Sequence, residues 1–155
     1  MSGMEKDIIE VPYTWEIPFK YTAGEVLTKF FYELKEKRIM GIRCPKCKRV
    51  LLPPRGFCEM CFEPLEEWVE VSDEGVIGAF QICCMKFLGA PEPPWASGLI
   101  RLDGADTAIL HFIGGIDLSD IEKGKEAIKI GTRVKAVWSD APKGLITDIR
   151  YFTPV

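Results

Sequence analysis

The chain has 155 residues, of which 47% are hydrophobic and 28% charged, and its formal net charge is −3. That length suits one ordinary domain, or one with a small module attached, and the composition permits a packed core and excludes wholesale disorder. No run of 18 apolar residues occurs, so no membrane-spanning helix is expected. The acidic balance argues against general nucleic-acid binding unless positive charge is gathered locally.

The N-terminal MSGMEKDIIEVP has no basic stretch followed by an apolar one, so a secretion signal is not expected and a reducing, cytoplasmic setting is. Residues 1–21 are rich in proline and aromatics (Pro12, Tyr13, Trp15, Pro18, Phe19, Tyr21) without a period, which suggests an arm that packs on its own domain or on a partner. TAGEVLTKFFYELKEKRI follows. Thr22 and Glu25 have capping-box spacing, and Val26, Leu27, Phe30, Phe31 and Leu34 recur as one helical face, predicting a helix over about residues 23–38.

The helix runs into RCPKCKRVLLPPRGFCEMC, where Cys44, Cys47, Cys58 and Cys61 form two C-x-x-C pairs ten residues apart. Two such knuckles facing each other complete a tetrahedron of thiolates for Zn²⁺. Iron fits the same sulfur cage, which leaves an independent redox protein as a competing reading. Paired redox cysteines of the thioredoxin kind do not fit, because neither pair sits between a strand and a helix. A closed four-sulfur site has no open position for substrate, so the metal is expected to be structural.

Charge reverses within this segment. Residues 35–55 carry eight Lys or Arg against one acid, Glu36, whereas residues 56–75 carry seven acids and no base. Lys46, Lys48 and Arg49 can offset the negative zinc–thiolate core, or can serve with Arg55 as a site for the phosphates of a coenzyme or a nucleic acid. Arg55, on the stiff turn after Pro53 and Pro54, is the best single candidate for a specific contact.

Short strands are then expected at 66–71, 75–84, 97–103, 106–113, 133–139 and 145–152, separated by Gly- or Pro-rich breaks. SDIEKGKEAIKIG (119–131) interrupts them with a helical turn, for which Ser119 and Glu122 have capping-box spacing. Such an order suits a five-stranded Greek-key barrel of the OB type. His111 is read as a core or interface histidine, since no nucleophile or base partner can be named for it. Of Cys83 and Cys84, one is expected to face the core and the other away. Trp95, in the Pro-rich PEPPWASG, is taken as exposed and as a possible contact platform. No catalytic motif occurs, so no catalytic residue is assigned.

Together the FF-x-x-L helix, RCPKCKRVLLPPRGFCEMC, GVIGAF, IKIGTRVKAVW and the terminal IRYFTPV resemble the DUF35 family. The resemblance spans about residues 23–155 and is most specific at the four cysteines, at Pro53-Pro54-Arg55 and at residues 130–134. It implies a mainly β chain: arm and helix in 1–40, a rubredoxin-like zinc ribbon in 41–65 and an OB-fold barrel in 66–155. It also implies a non-catalytic partner of a thiolase-fold enzyme that holds acyl-CoA or shapes the partner's active site. A similar small subunit pairs with the thiolase ending the benzylsuccinate β-oxidation route for toluene. On that reading Zn²⁺ is the structural cofactor, CoA or acyl-CoA the shared ligand, and Arg55, Lys46, Lys48, Arg49 and Trp95 the candidate coenzyme contacts. The alternative is a single-stranded nucleic-acid-binding protein, since ribbons and OB barrels both serve that purpose.

Overall fold

The computed structural model describes residues 11–12, 14 and 17–155. The longer of the two α-helices among the described residues, α1 (Gly24–Lys35), buries Phe30 and Leu34 along the predicted apolar face. The expected capping box does not form: Ala23 is the residue before the helix, and no side chain caps it. Gly24, at φ +71, turns the chain between Thr22 and the first helical turn, which takes Thr22 out of capping position. Tyr13 and Trp15 lie outside the described residues, and Val11, Ile17, Phe19 and Tyr21 are exposed.

A three-stranded antiparallel sheet follows, in the order β2 (Val50–Leu51), β1 (Ile39–Arg43), β3 (Glu67–Val71). By its alternation, segment 66–71 had grouped with the barrel strands. It pairs instead along the whole of β1, from Ile39 opposite Val71 to Arg43 opposite Glu67. The chain thus leaves α1, builds the cysteine knuckles between β1 and β3, and only then enters the barrel.

The barrel closes in the order β4-β5-β6-β8-β7. Its strands are β4 (Glu74–Cys83), β5 (Trp95–Leu102), β6 (Ile109–Ile113), β7 (Arg133–Trp138) and β8 (Ile149–Pro154). All pairs are antiparallel except β6 with β8, where Ile113 lies opposite Phe152. Alternation along β5 and β6 sends Ala96, Ile100, Leu102, Ile109 and Ile113 inward onto Val134, Ile149 and Phe152, all buried. The same core takes in Phe30, Leu34, Ile39, Val50 and Val71, so helix, small sheet and barrel share one apolar interior.

A short helix, α2 (Ile121–Ala127), bridges β6 and β7. Its cap is Asp120 rather than Ser119: the Asp120 carboxylate accepts from the backbone N–H of Glu122 at 3.1 Å and of Lys123 at 3.2 Å. A carboxylate at this end also faces the positive pole of the helix, which a hydroxyl cannot exploit equally. The last expected strand is shortened by a 3-10 turn (Ile146–Asp148), so β8 starts at Ile149. Among the described residues no helix is long and apolar enough to cross a membrane.

Candidate metal centre and its surroundings

Each C-x-x-C pair folds as the same knuckle. Cys44 N–H donates to the Arg49 carbonyl at 2.9 Å, and Lys48 N–H returns to the Cys44 carbonyl at 3.0 Å. In the second knuckle Cys58 N–H donates to Glu63 at 2.9 Å and Phe62 N–H to Cys58 at 2.8 Å. The residue after each second cysteine takes the left-handed conformation, Lys48 at φ 64 and Phe62 at φ 58. Such angles are unusual for a phenylalanine; here the tight turn enforces them.

The knuckles meet so that all four Sγ atoms lie within 4.8 Å of one another. Thiolates bound at about 2.3 Å to one tetrahedral zinc stand about 3.8 Å apart. Cys47 Sγ and Cys58 Sγ are separated by 3.8 Å, so the donor set fits such an ion in both chemistry and size. Cys44 and Cys58 are fully buried among Ile42, Leu51 and Leu65, which form a small apolar shell on one side of the sulfurs.

The thiols are not alike. Burial alone would raise the Cys44 pKa, but the N–H groups of Cys47 and Lys46 and the neighbouring thiols outweigh it, bringing the value down to about 7. At Cys61, burial and the three surrounding thiols act together and push it up to about 12. Holding a divalent metal requires all four to release their protons.

The basic residues of the ribbon are largely met by the acids that follow them. Glu59 lies between Arg49 and Arg55, 3.2 Å from each. Its carboxyl is held below its usual pKa by its own backbone N–H and then by these two arginines. Lys46 stands 3.9 Å from Glu63, and Arg43 2.9 Å from Glu67. Lys48 is exposed and makes no ion pair among the described residues. The charge reversal in sequence therefore becomes pairing across the ribbon in space.

Residues that no motif flagged fix the ribbon to the barrel. Val50 N–H donates to Asp106 Oδ2 at 2.8 Å, and Asp106 N–H to the Val50 carbonyl at 2.8 Å. Leu52 N–H donates to Thr107 Oγ1 at 2.6 Å, and that hydroxyl donates back to the Leu52 carbonyl at 2.7 Å. In sequence, LDGAD (102–106) marks a hairpin turn but does not say what it will touch.

Trp95 is not at an exposed loop tip: it opens β5, half-buried, with its ring edge-on to Phe112 at 5.4 Å. It therefore stands on the barrel with its own set of neighbours, apart from the ribbon cations. His111 is buried beside Phe152; its Nδ1 accepts from Phe112 N–H at 2.9 Å, and its Nε2 lies 3.3 Å from the Ile146 carbonyl. That pairing places the proton on Nε2, and burial pulls its pKa down, so the ring is a neutral structural group. Neither Cys83 nor Cys84 joins the core: Cys83 is half-buried with its thiol 3.4 Å from the Met85 carbonyl, and Cys84 is exposed. β4 stays paired with β5 as far as Cys83 opposite Trp95, but its last residues are half-buried or exposed, so alternation there does not choose a core-facing thiol.

Known proteins agree with this layout. Residues 33–66 match the rubredoxin-like zinc ribbon domain of ChsH2, and residues 68–139 match the ChsH2 C-terminal OB-fold domain. No curated protein matches the chain. Among solved structures, a DUF35-family protein of unknown function from Sulfolobus solfataricus superposes with a TM-score of 0.63. It is 25% identical, covering 85% of this chain and 87% of that one. The Ltp2-ChsH2(DUF35) aldolase superposes with a TM-score of 0.61 at 24% identity, covering 81% of this chain and 91% of that one.

Proposed function

This chain belongs to the ChsH2 (DUF35) family of zinc-ribbon and OB-fold proteins, and from that premise we propose that it is a non-catalytic subunit of a thiolase-type enzyme complex. Its work is to bind or position an acyl-CoA and to shape the partner's active site while a C–C bond next to a thioester is cleaved or formed. The observation that carries this reading is the two family matches, laid end to end over ribbon and barrel. The structural neighbour solved as an Ltp2–ChsH2 aldolase is the supporting case of such a pairing.

The ribbon's part is mechanical. Cys44, Cys47, Cys58 and Cys61 hold one Zn²⁺, which supplies folding energy to a segment with only a small apolar shell of its own. The Asp106 and Thr107 hydrogen bonds then transmit that rigidity to the barrel. Arg55, Arg49, Lys46 and Lys48 form the edge of the ribbon on which coenzyme phosphates would rest. Of these, Lys48 has no ion pair among the described residues, and the others would exchange their Glu59 or Glu63 contacts for phosphate oxygens.

No observation favours the nucleic-acid reading. The test is reconstitution. Thiolase-fold proteins from the same organism are assayed for acyl-CoA cleavage with and without the zinc-loaded chain, the terminal thiolysis of benzylsuccinate β-oxidation being the first reaction to try. Activity that requires the chain, and survives loss of Cys83, Cys84 and His111 reactivity, supports the reading. A partner equally active without it refutes the assignment.

A further inference from the structure

The outer face of the barrel carries a site that the ribbon and its partner reading leave unexplained. Between the start of β5, the middle of β6 and the 3-10 turn lies a hollow of about 530 Å³, within the range of small-molecule pockets. Trp95, Leu110, Phe112 and Ile146 supply apolar walls, and Leu110 remains 66% exposed. Trp95 Nε1 is buried without a hydrogen-bond partner among the described residues, so the indole acts here as wall rather than donor. His111 adds neutral surface, with both ring nitrogens already engaged.

Among the described residues no carboxylate lines this hollow, and one cation does: Arg150. Arg150 also lines the adjoining hollow beside Glu92, Pro94 and Tyr151, with its guanidinium 5.8 Å from the Tyr151 ring; Glu92 is itself paired with Lys86 at 2.6 Å. Elsewhere in the molecule arginines have acids to meet. Arg38, Arg43, Arg49, Arg55 and Arg133 each form an ion pair, and Arg101 acts on Asp103. Arg150 has no carboxylate partner among the described residues. An apolar wall with a lone guanidinium at its rim is complementary to an amphiphilic anion. A phosphate would want several donors around it, whereas a carboxylate is satisfied by one guanidinium fork.

We propose that this hollow binds a small organic carboxylate with an aromatic or branched apolar body, the body against Trp95, Leu110, Phe112 and Ile146 and the carboxylate on Arg150. The proposal does not depend on a catalytic partner. The ligand is either a free acid or the acid end of an acyl group carried as a thioester, and both present the same chemistry.

The test is two-dimensional NMR of the ¹⁵N-labelled, zinc-loaded full chain, in which the indole N–H signal of Trp95, assigned through bonds, reports the site. Titration with 3-phenylpropanoate moves that signal saturably, and 3-phenylpropan-1-ol and inorganic phosphate move it far less. Arg150→Gln, an exposed substitution, weakens phenylpropanoate by about tenfold or more and leaves the response to the alcohol unchanged. Phenylsuccinyl-CoA moving the signal where phenylacetyl-CoA does not identifies an acid-terminated thioester as the source; the free acid alone moving it identifies a free acid. A Trp95 signal that stays still with millimolar phenylpropanoate and with phenylsuccinyl-CoA overturns the proposal, as does equal binding by Arg150→Gln.

Discussion

Asp148 offers a sharp test of the energetics that hold the barrel's last turn. Its side chain is 3% exposed, and its carboxylate accepts three backbone N–H bonds: Lys143 at 2.8 Å on Oδ1, then Gly144 at 2.6 Å and Leu145 at 3.0 Å on Oδ2. Burial alone would raise its pKa, but these three donors and the Lys143 charge outweigh it, holding the carboxyl below the usual 3.8. In Asp148→Asn the amide can be turned so that its oxygen keeps Gly144 and Leu145, but its NH₂ then faces the Lys143 N–H. One charge-assisted bond is lost outright and two are weakened, a cost of about 2–4 kcal/mol. Because the folded-state pKa is depressed, the carboxylate's contribution is fully present above the unfolded value. It declines as pH falls through the folded one. Urea unfolding of wild type and Asp148→Asn, followed by tryptophan fluorescence from pH 7 downward, should show a gap that is constant to about pH 4–5 and then narrows. Release of zinc in acid affects both chains alike and cancels in the difference. A gap under about 0.5 kcal/mol at pH 7, or one that widens in acid, would refute the argument.

The ribbon, the barrel core and the β4–β5 contact each carry a further expected outcome. Cys58→Ser should lower bound zinc from one per chain toward none and unfold the ribbon, since the ion's apparent binding energy of about 10–16 kcal/mol is lost to a segment with little core; metal analysis and amide exchange over residues 39–71 check this. Phe152→Ala, at a fully buried position where β6, β7 and β8 meet, should cost about 3–5 kcal/mol in urea unfolding. Gly75→Ala should cost more than its size suggests, because a Cβ there would overlap the Arg101 carbonyl on β5; a melting temperature within a degree or so of wild type would show that the two strands can separate cheaply.

Local chemistry was what the sequence disclosed best. The C-x-x-C spacing named the four thiols that the fold gathers, because each knuckle is a short turn whose geometry is nearly complete within six residues. The α1 face and most of the strands were legible for the same reason, their periodicity being a property of one segment. Strand partners were not. Residues 66–71 alternate as any half-buried strand does, and nothing in EEWVEV says that its partner is β1 rather than β4. The parallel contact of β6 with β8 and the clamp of Asp106 and Thr107 on Val50 and Leu52 are likewise settled by topology. Capping motifs misled by one residue at both helices, through the turn at Gly24 and through Asp120 standing next to Ser119. The cation cluster was legible only as charge counted along the chain, which does not disclose the pairing of Arg49 and Arg55 with Glu59 across the ribbon.

The central claim, that the chain is the zinc-bearing helper of a thiolase-type enzyme, is tested most directly by isolating the tagged chain from its own cells and weighing the intact assembly. The account predicts a thiolase-fold protein in near-equal amount, with about one zinc for each copy of this chain. Recovery of the chain alone, or with nucleic acid in place of such an enzyme, would contradict it.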